Sequence, residues 1–248
     1  MRTVSTTAFV LRSIDVGEYD RSYLLFTDAW GKVWARASQV RRTKRLVAGH
    51  LQLLLQTAVQ LRERGNHSIT IAEAVSYARY STIGLASVAR LEVVAELADR
   101  FTPLAQPDVD VMRVLRYVSA VLSQDVWDST VFAEVLAKMT VAVGIAPQVQ
   151  RCVLSGDALS ATDELHWSSQ HGGVVRAIDH PHARDDQSLR PLSISACKLL
   201  RVLLSDEMVA GRVTASPTVV SEVEAVLLQY VQVQLQRSLK ELPFLVVQ

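Results

Sequence analysis

A chain of 248 residues that is 49 % hydrophobic and 21 % charged can bury a core, and its 10 Gly and 7 Pro exclude a collagen-like or linker-dominated sequence. No apolar run reaches the roughly 18 uncharged residues of a membrane-spanning helix, Asp15 and Glu18 come too early for a secretory signal, and two cysteines, Cys152 and Cys197, cannot build a disulfide framework. A cytoplasmic protein with no membrane partner is therefore expected. The net charge of +1 conceals an asymmetry: residues 1–80 carry 12 Lys+Arg against 6 Asp+Glu, whereas residues 81–248 carry 14 against 19. A net of +6 followed by a net of −5 suggests a polyanion-binding module joined to something else. Charges scattered over solvated faces are the plainer alternative.

The first 80 residues read as five short strands. Thr3–Ile14 is rich in Thr, Val and Leu and precedes the turn signal Gly17-Glu18-Tyr19-Asp20. Ser22–Thr27 is a short apolar strand. Lys32–Ala37 alternates, with Val33, Ala35 and Ala37 on one face and Lys32, Trp34 and Arg36 on the other. Gln39–Arg45 is basic and loop-like. Gln52–Arg62 is long and mostly apolar, and Arg64-Gly65-Asn66 turns it into the alternating Ser68–Ala74. Five strands in this length predict a β-barrel of the OB type over 1–80, since a two-sheet sandwich usually needs more.

Residues 81–248 read as a helical domain, which makes the whole chain α+β. Ser87–Phe101 has helical spacing and ends before Pro103 and Pro107. Asp108 is a candidate cap for a helix running through Leu122, and Asp128 or Ser129 for one running to Val143. Residues 147–190 break the pattern as a loop-rich insertion holding His166, His171, His180 and His182. Helices resume over Ser195–Ser205 and Thr218–Lys240, with Pro217 at the start of the last.

The basic segment carries the clearest chemistry. Lys32, Arg36, Arg41, Arg42, Lys44 and Arg45 fall within fourteen residues that include no acid, beside Trp30 and Trp34. On a small barrel such cations can track a phosphate backbone while an exposed indole stacks on a base. Arg62 and Arg64 extend the candidate DNA-binding set. The alternative is a solvated loop with Trp34 in the core. Cys152-x-x-Ser155 falls one cysteine short of a zinc knuckle, and His180-Pro181-His182 is a poorly spaced pair, so no metal and no cofactor is expected. Catalysis has little support: there is no Gly-x-Ser-x-Gly, no phosphate-binding Gly-rich loop, and Cys197 reads as a buried inert thiol. An enzyme would have to use loop residues such as His166, His171, Asp185 and Asp186, as in a metal-dependent hydrolase or nuclease.

The order of parts resembles the bacterial recombination mediator RecO family. The likeness runs through Ala8-Phe9-Val10-Leu11-Arg12, Gly17-Glu18-Tyr19-Asp20-Arg21, Phe26-Thr27, Gly31-Lys32-Val33 and Val40–Leu46. It continues through Leu51-Gln52, Ala72-Glu73-Ala74, Glu96–Arg100, Phe132 to Gly144, Pro147, Cys152, Leu239-Lys240 and Phe244-Leu245. The resemblance implies a non-enzymatic DNA repair protein. Such a protein binds single- and double-stranded DNA, anneals complementary strands, and works with RecR and the acidic C-terminal tail of single-strand-binding protein to help RecA load. Within the acidic helical part, Arg113 and Arg116 share a helix face and are candidate receivers of that tail, with Leu91, Leu115 and Phe101 as possible pocket residues. Many members carry four zinc cysteines. Here the second position is Ser155, and Arg176 and Asp179 fall at the last two, so the zinc finger is expected to be degenerate. The Ala-Lys-Gly before the basic loop is here Ala37-Ser38-Gln39. An RNA-binding OB module is the other binding-protein reading.

Overall fold

The structure, a computed structural model, describes residues 2–40, 49–64, 68–76, 84–180, 186, 188–209, 212–236 and 238–239. Five strands among them form a closed barrel: β1 (Arg2–Val16), β2 (Asp20–Thr27), β3 (Gly31–Ala37), β4 (Thr57–Arg64) and β5 (Ser68–Ser76), in the order β1-β2-β3-β5-β4. All pairings are antiparallel except β3 with β5, which meet in parallel at Ala35–Ile69 and Arg36–Thr70. This is the OB-type arrangement expected from the sequence. Register shifts at Val10/Arg12 and Gln60/Leu61 supply the local bends that closure needs.

The period-2 pattern fills the barrel. Val10, Tyr23, Leu25, Val33, Ala35, Val59, Leu61 and Ile71 point inward into one buried cluster. On the β1–β2 side the outer face is buried too. Phe9 and Phe26 stand opposite each other and are fully covered, where α1 (Leu85–Phe101) packs against β1. The stretch Gln52–Gln56 is not strand, contrary to the sequence reading. Leu54 adopts a left-handed φ of 54°, and Leu51, Leu54 and Leu55 are buried as an irregular segment before β4. An apolar run has the same composition whether it lies in a sheet or plugs the end of one.

α1 and α2 (Val109–Ser123) belong with the barrel by packing, since the compact units are Met1–Trp127 and Asp128–Leu239. Asp108 caps α2 by accepting from the Asp110 and Val111 amides at 3.0 Å each. The Gln56 amide donates to Ser119 Oγ at 2.8 Å. At Gly31 (φ 62°) a Cβ would lie 2.0 Å from the Gln106 carbonyl oxygen, so the segment after α1 approaches β3 more closely than any side chain permits.

The second unit holds α3 (Ser129–Ala142, capped by Asp128), α4 (Ile194–Leu203, capped by Ser193) and α5 (Pro217–Leu235, capped by Ser216). α5 ends at Leu235 with Gln236 left-handed, short of the expected Lys240. The insertion expected to be loop-rich contains a three-stranded sheet, β7-β6-β8, from β6 (Leu165–Ser168), β7 (Gly173–Arg176) and β8 (Leu189–Leu192). Four-residue strands interrupted by Gly172, Gly173 and Pro191 are too short to show alternation in the sequence. Trp167 is buried with its ring edge-on to Tyr230, whose hydroxyl donates to the Ile145 carbonyl at 2.7 Å.

Candidate nucleic-acid interface

The outer face of β3 runs from covered to open. Lys32, at its start, is only 6 % exposed. Its ammonium donates to the carbonyl oxygens of Asp99 and Thr102, and to Asp99 Oδ1 at 3.0 Å. These groups end α1, where the last carbonyls lack intrahelical partners and a cation meets the negative end of the dipole. Lys32 therefore acts as a clamp on the end of α1, with its charge engaged there. Two residues on, Trp34 is 38 % exposed. It is not the core residue that the plainer reading allowed. Arg36 follows, exposed, with Nη2 at 2.6 Å from Asp20 Oδ2. Asp20 also accepts the Gln39 amide at 2.7 Å. That bond and the Arg36 guanidinium hold the Asp20 carboxyl below its ordinary range.

Arg36 aligns with Thr70 on β5, and Thr70 aligns with Arg62 on β4. The two guanidinium-bearing positions thus lie in one row across the barrel, two strands or about 10 Å apart. Beside Trp34 is a groove of about 580 Å³ whose lining includes Arg2, Trp30, Trp34, Glu63, Ile69 and Pro107. The Arg2 guanidinium carbon stands 5.6 Å from the centre of the Trp30 ring. Arg2 was absent from the expected set because a cation at the start of β1 has no neighbouring cation in sequence. Only the register of β1 against β4, pairing Arg2 with Glu63, brings it to the groove. Arg41, Arg42, Lys44 and Arg45 lie outside the described residues. Arg64 is placed at the end of β4 opposite Ser68.

Residues 1–78 match the family described as Recombination protein O N terminal, and residues 85–243 match Recombination protein O C terminal. The chain belongs to the RecO family. It is similar along nearly its whole length to proteins named DNA repair protein RecO. One from Bifidobacterium adolescentis is 26 % identical over 95 % of this chain and 96 % of the relative. One from Dehalococcoides mccartyi is 27 % identical over 97 % and 94 %. One from Roseiflexus sp. is 28 % identical over 98 % and 85 %.

Two further residue sets derived from the RecO resemblance can be located. Arg113 pairs with Asp110 at 3.1 Å within α2, while Arg116 reaches the barrel and donates to both oxygens of Asp28 at 2.7 Å each. Leu91 and Leu115 are core residues, so they line no open pocket. The four positions that the resemblance gives to zinc cysteines do come together, but their chemistry does not fit zinc. Cys152 is buried and accepts the Arg176 amide at 3.5 Å. Ser155 donates to Asp179 at 2.8 Å, and the Arg176 guanidinium occupies the space between the two turns. A guanidinium cannot lose its proton to become a ligand, and one thiol with one carboxylate is half a zinc site. The Arg176 bonds, aided by Cys152 and Ser155, hold the Asp179 carboxyl well below the usual range. Among the described residues no group of three or more His, Cys, Asp or Glu is placed to hold a metal.

The residues an enzyme would need can be placed in part, and after the hydrogen bonds from Ser188 the charges of His180 and His171 both act to lower the Asp186 carboxyl. His166 is buried in β6, His171 shares a 2.9 Å hydrogen bond with Ser168, and Asp186 accepts the Ser188 amide and lies 3.4 Å from His180. Asp185 lies outside the described residues. Among the described residues, no helix is long and apolar enough to cross a membrane.

Proposed function

We propose that this chain is a non-enzymatic recombination mediator. It binds single- and double-stranded DNA through the outer face of the barrel and anneals complementary strands. It acts in the cytoplasm with RecR and with the tail of single-strand-binding protein, and so helps RecA load. The DNA repair role rests on the RecO family membership of both halves of the chain and on the names of its full-length relatives. The observation that carries the DNA-binding reading is the exposed Trp34 beside the Arg36–Arg62 row, with the Arg2–Trp30 groove next to it. Cations neutralise phosphates without reading sequence, and an aromatic face stacks on any base. Annealing needs no catalytic group, because the barrier lowered is the repulsion between two phosphate backbones.

The deciding experiment is annealing of complementary fluorescent oligonucleotides, repeated with RNA strands. Acceleration with DNA supports the reading. No acceleration overturns it, and preference for RNA turns it into the RNA-binding alternative. Charge reversal of Arg41 and Arg42 together should weaken DNA binding for all sequences alike. Arg116→Glu tests the tail surface by calorimetry with the tail peptide. Lower peptide affinity with unchanged DNA affinity supports it, and equal affinity places the tail elsewhere. A metal-dependent nuclease would lose activity with chelator, whereas annealing should not.

A further inference from the structure

The insertion of the second unit is fastened at one point by two turns. The first, residues 152–157, is closed by the Cys152 amide donating to the Asp157 carbonyl at 2.8 Å and the Gly156 amide to the Cys152 carbonyl at 2.9 Å. The second runs from the end of β7 through a 3-10 turn over Ala177–Asp179. Their paired positions, 152 with 155 and 176 with 179, have the spacing x2, x20, x2. That is the spacing by which two knuckles close on one tetrahedral zinc. Cys152 Sγ even receives an amide hydrogen bond from the opposite turn.

In place of the metal stands a guanidinium. Arg176 Nε and Nη2 reach the two oxygens of Asp179 at 2.6 and 2.8 Å, and Nη2 also reaches Asp157 Oδ2 at 2.6 Å and Ser155 Oγ at 3.4 Å. Ser155 Oγ closes the ring on Asp179 at 2.8 Å. One planar cation therefore binds oxygens of both turns, and its forked donors fix their relative orientation. Beneath it Cys152, Val175 and Leu189 form a separate small apolar cluster. Backbone bonds also join the two segments, with the Val153 amide donating to the Val174 carbonyl at 2.9 Å, so the side-chain ring adds a second, forked tie that fixes the turns themselves.

We propose that the Arg176–Asp179 pair, with Ser155 and Asp157, is a metal-free clasp that takes over the crosslinking role of a zinc ion. We further propose that the scaffold beneath it has kept the geometry of a metal site. The clasp explains why three ligand positions can change together. A lone cysteine-to-serine change would leave a half-filled site, whereas the Arg–Asp exchange supplies a new partner for each remaining polar group.

Three measurements on the full-length protein test this. Purified protein should contain no stoichiometric zinc by elemental analysis, and chelator should leave its melting temperature unchanged. About one zinc per chain would overturn the proposal. Arg176→Lys keeps the charge but loses the fork, and Asp179→Asn keeps the shape but loses the charge. Each should melt several degrees lower, and the double variant should lose less than the sum of the two. Parental melting in both single variants would overturn the clasp. The triple variant Ser155→Cys, Arg176→Cys, Asp179→Cys should bind one Co²⁺ per chain with tetrahedral thiolate absorption, and its melting should become chelator-sensitive. A folded triple variant without that spectrum would overturn the retained metal geometry. Should the triple variant fail to fold without metal, recovery of the fold on adding Zn²⁺ supports the proposal, and failure to recover overturns it.

Discussion

Lys32→Met removes a buried ammonium while keeping an unbranched stem of similar length, and it leaves three oxygens at the end of α1 without their donor. Breaking a buried ion pair from one side costs about 3–5 kcal/mol, because the remaining charge stays behind. The Asp99 side chain is 32 % exposed and can rehydrate, which puts the expected loss near the lower end, about 3 kcal/mol. At roughly 2–4 °C per kcal/mol for a chain of this size, the melting temperature should fall by about 6–12 °C. The same variant should leave the salt dependence of DNA binding untouched, since Lys32 reaches α1 and not solvent. Each phosphate contact removed from duplex binding would instead lower the slope of log K against log salt by about 0.9. The two readouts separate the roles. Thermal melting and a salt titration of DNA affinity should show lower stability with an unchanged slope. Unchanged melting with a shallower slope would refute the clamp and return Lys32 to the DNA-binding face.

Other variants probe neighbouring claims. Trp34→Ala should weaken single-stranded DNA binding by about 1–3 kcal/mol, roughly fivefold to 150-fold, with little change in melting, as measured by fluorescence anisotropy. Gly31→Ala should unfold at markedly lower urea, because a Cβ there would lie 2.0 Å from the Gln106 carbonyl oxygen; a parental urea midpoint would show that the close approach is not needed. Gln39 holds a left-handed φ of 57°, so Gln39→Gly should stabilise the chain by about 0.5–1 kcal/mol in denaturant titration. Burial pushes the Cys197 thiol up, with Arg201 opposing weakly, so it should resist alkylation at pH 8 until the protein is unfolded.

Much of the barrel could be read from the sequence because its determinants are local. Alternation alone separated Val33, Ala35 and Ala37 from Trp34 and Arg36, and the structure puts the first set inside; single side chains marked the cap at Asp108 and narrowed the next to Asp128 or Ser129, of which Asp128 is the cap. What escaped was set by contacts far along the chain. Lys32 sits at an outward position by alternation, yet it is covered by α1, whose contacting residue Asp99 is 67 positions away. The same holds for Arg116, which reads as a free helix cation until Asp28, 88 positions earlier, is placed beside it. The sheet of the insertion escaped for the opposite reason, since its strands are too short to establish a period and β6 and β7 are covered on both faces. Arg176 and Asp179 could be identified as replacements for ligands, but the sequence offered no sign that they bind each other.

These placements change how a basic run is to be weighed. Six cations within fourteen residues suggest six phosphate contacts, but the two that lie among the described residues, Lys32 and Arg36, each have a competing partner. Lys32 cannot exchange Asp99 and Thr102 for a phosphate without unclamping α1. Arg36 can exchange Asp20, because an exposed ion pair contributes little in water and a phosphate offers the same geometry with more charge. Were Arg36 to turn to a phosphate, Asp20 would still have the Gln39 amide as a donor, so the strand end that leads into the basic segment would stay anchored. A protein that brings two strands together must also let them go. A surface cation already balanced by a nearby carboxylate suits that task, because the carboxylate reclaims it as the strand leaves. On this argument Asp20→Asn should tighten DNA binding and slow strand release. Faster release from that variant, followed by stopped-flow fluorescence of a labelled single strand, would show that Asp20 does not compete for Arg36.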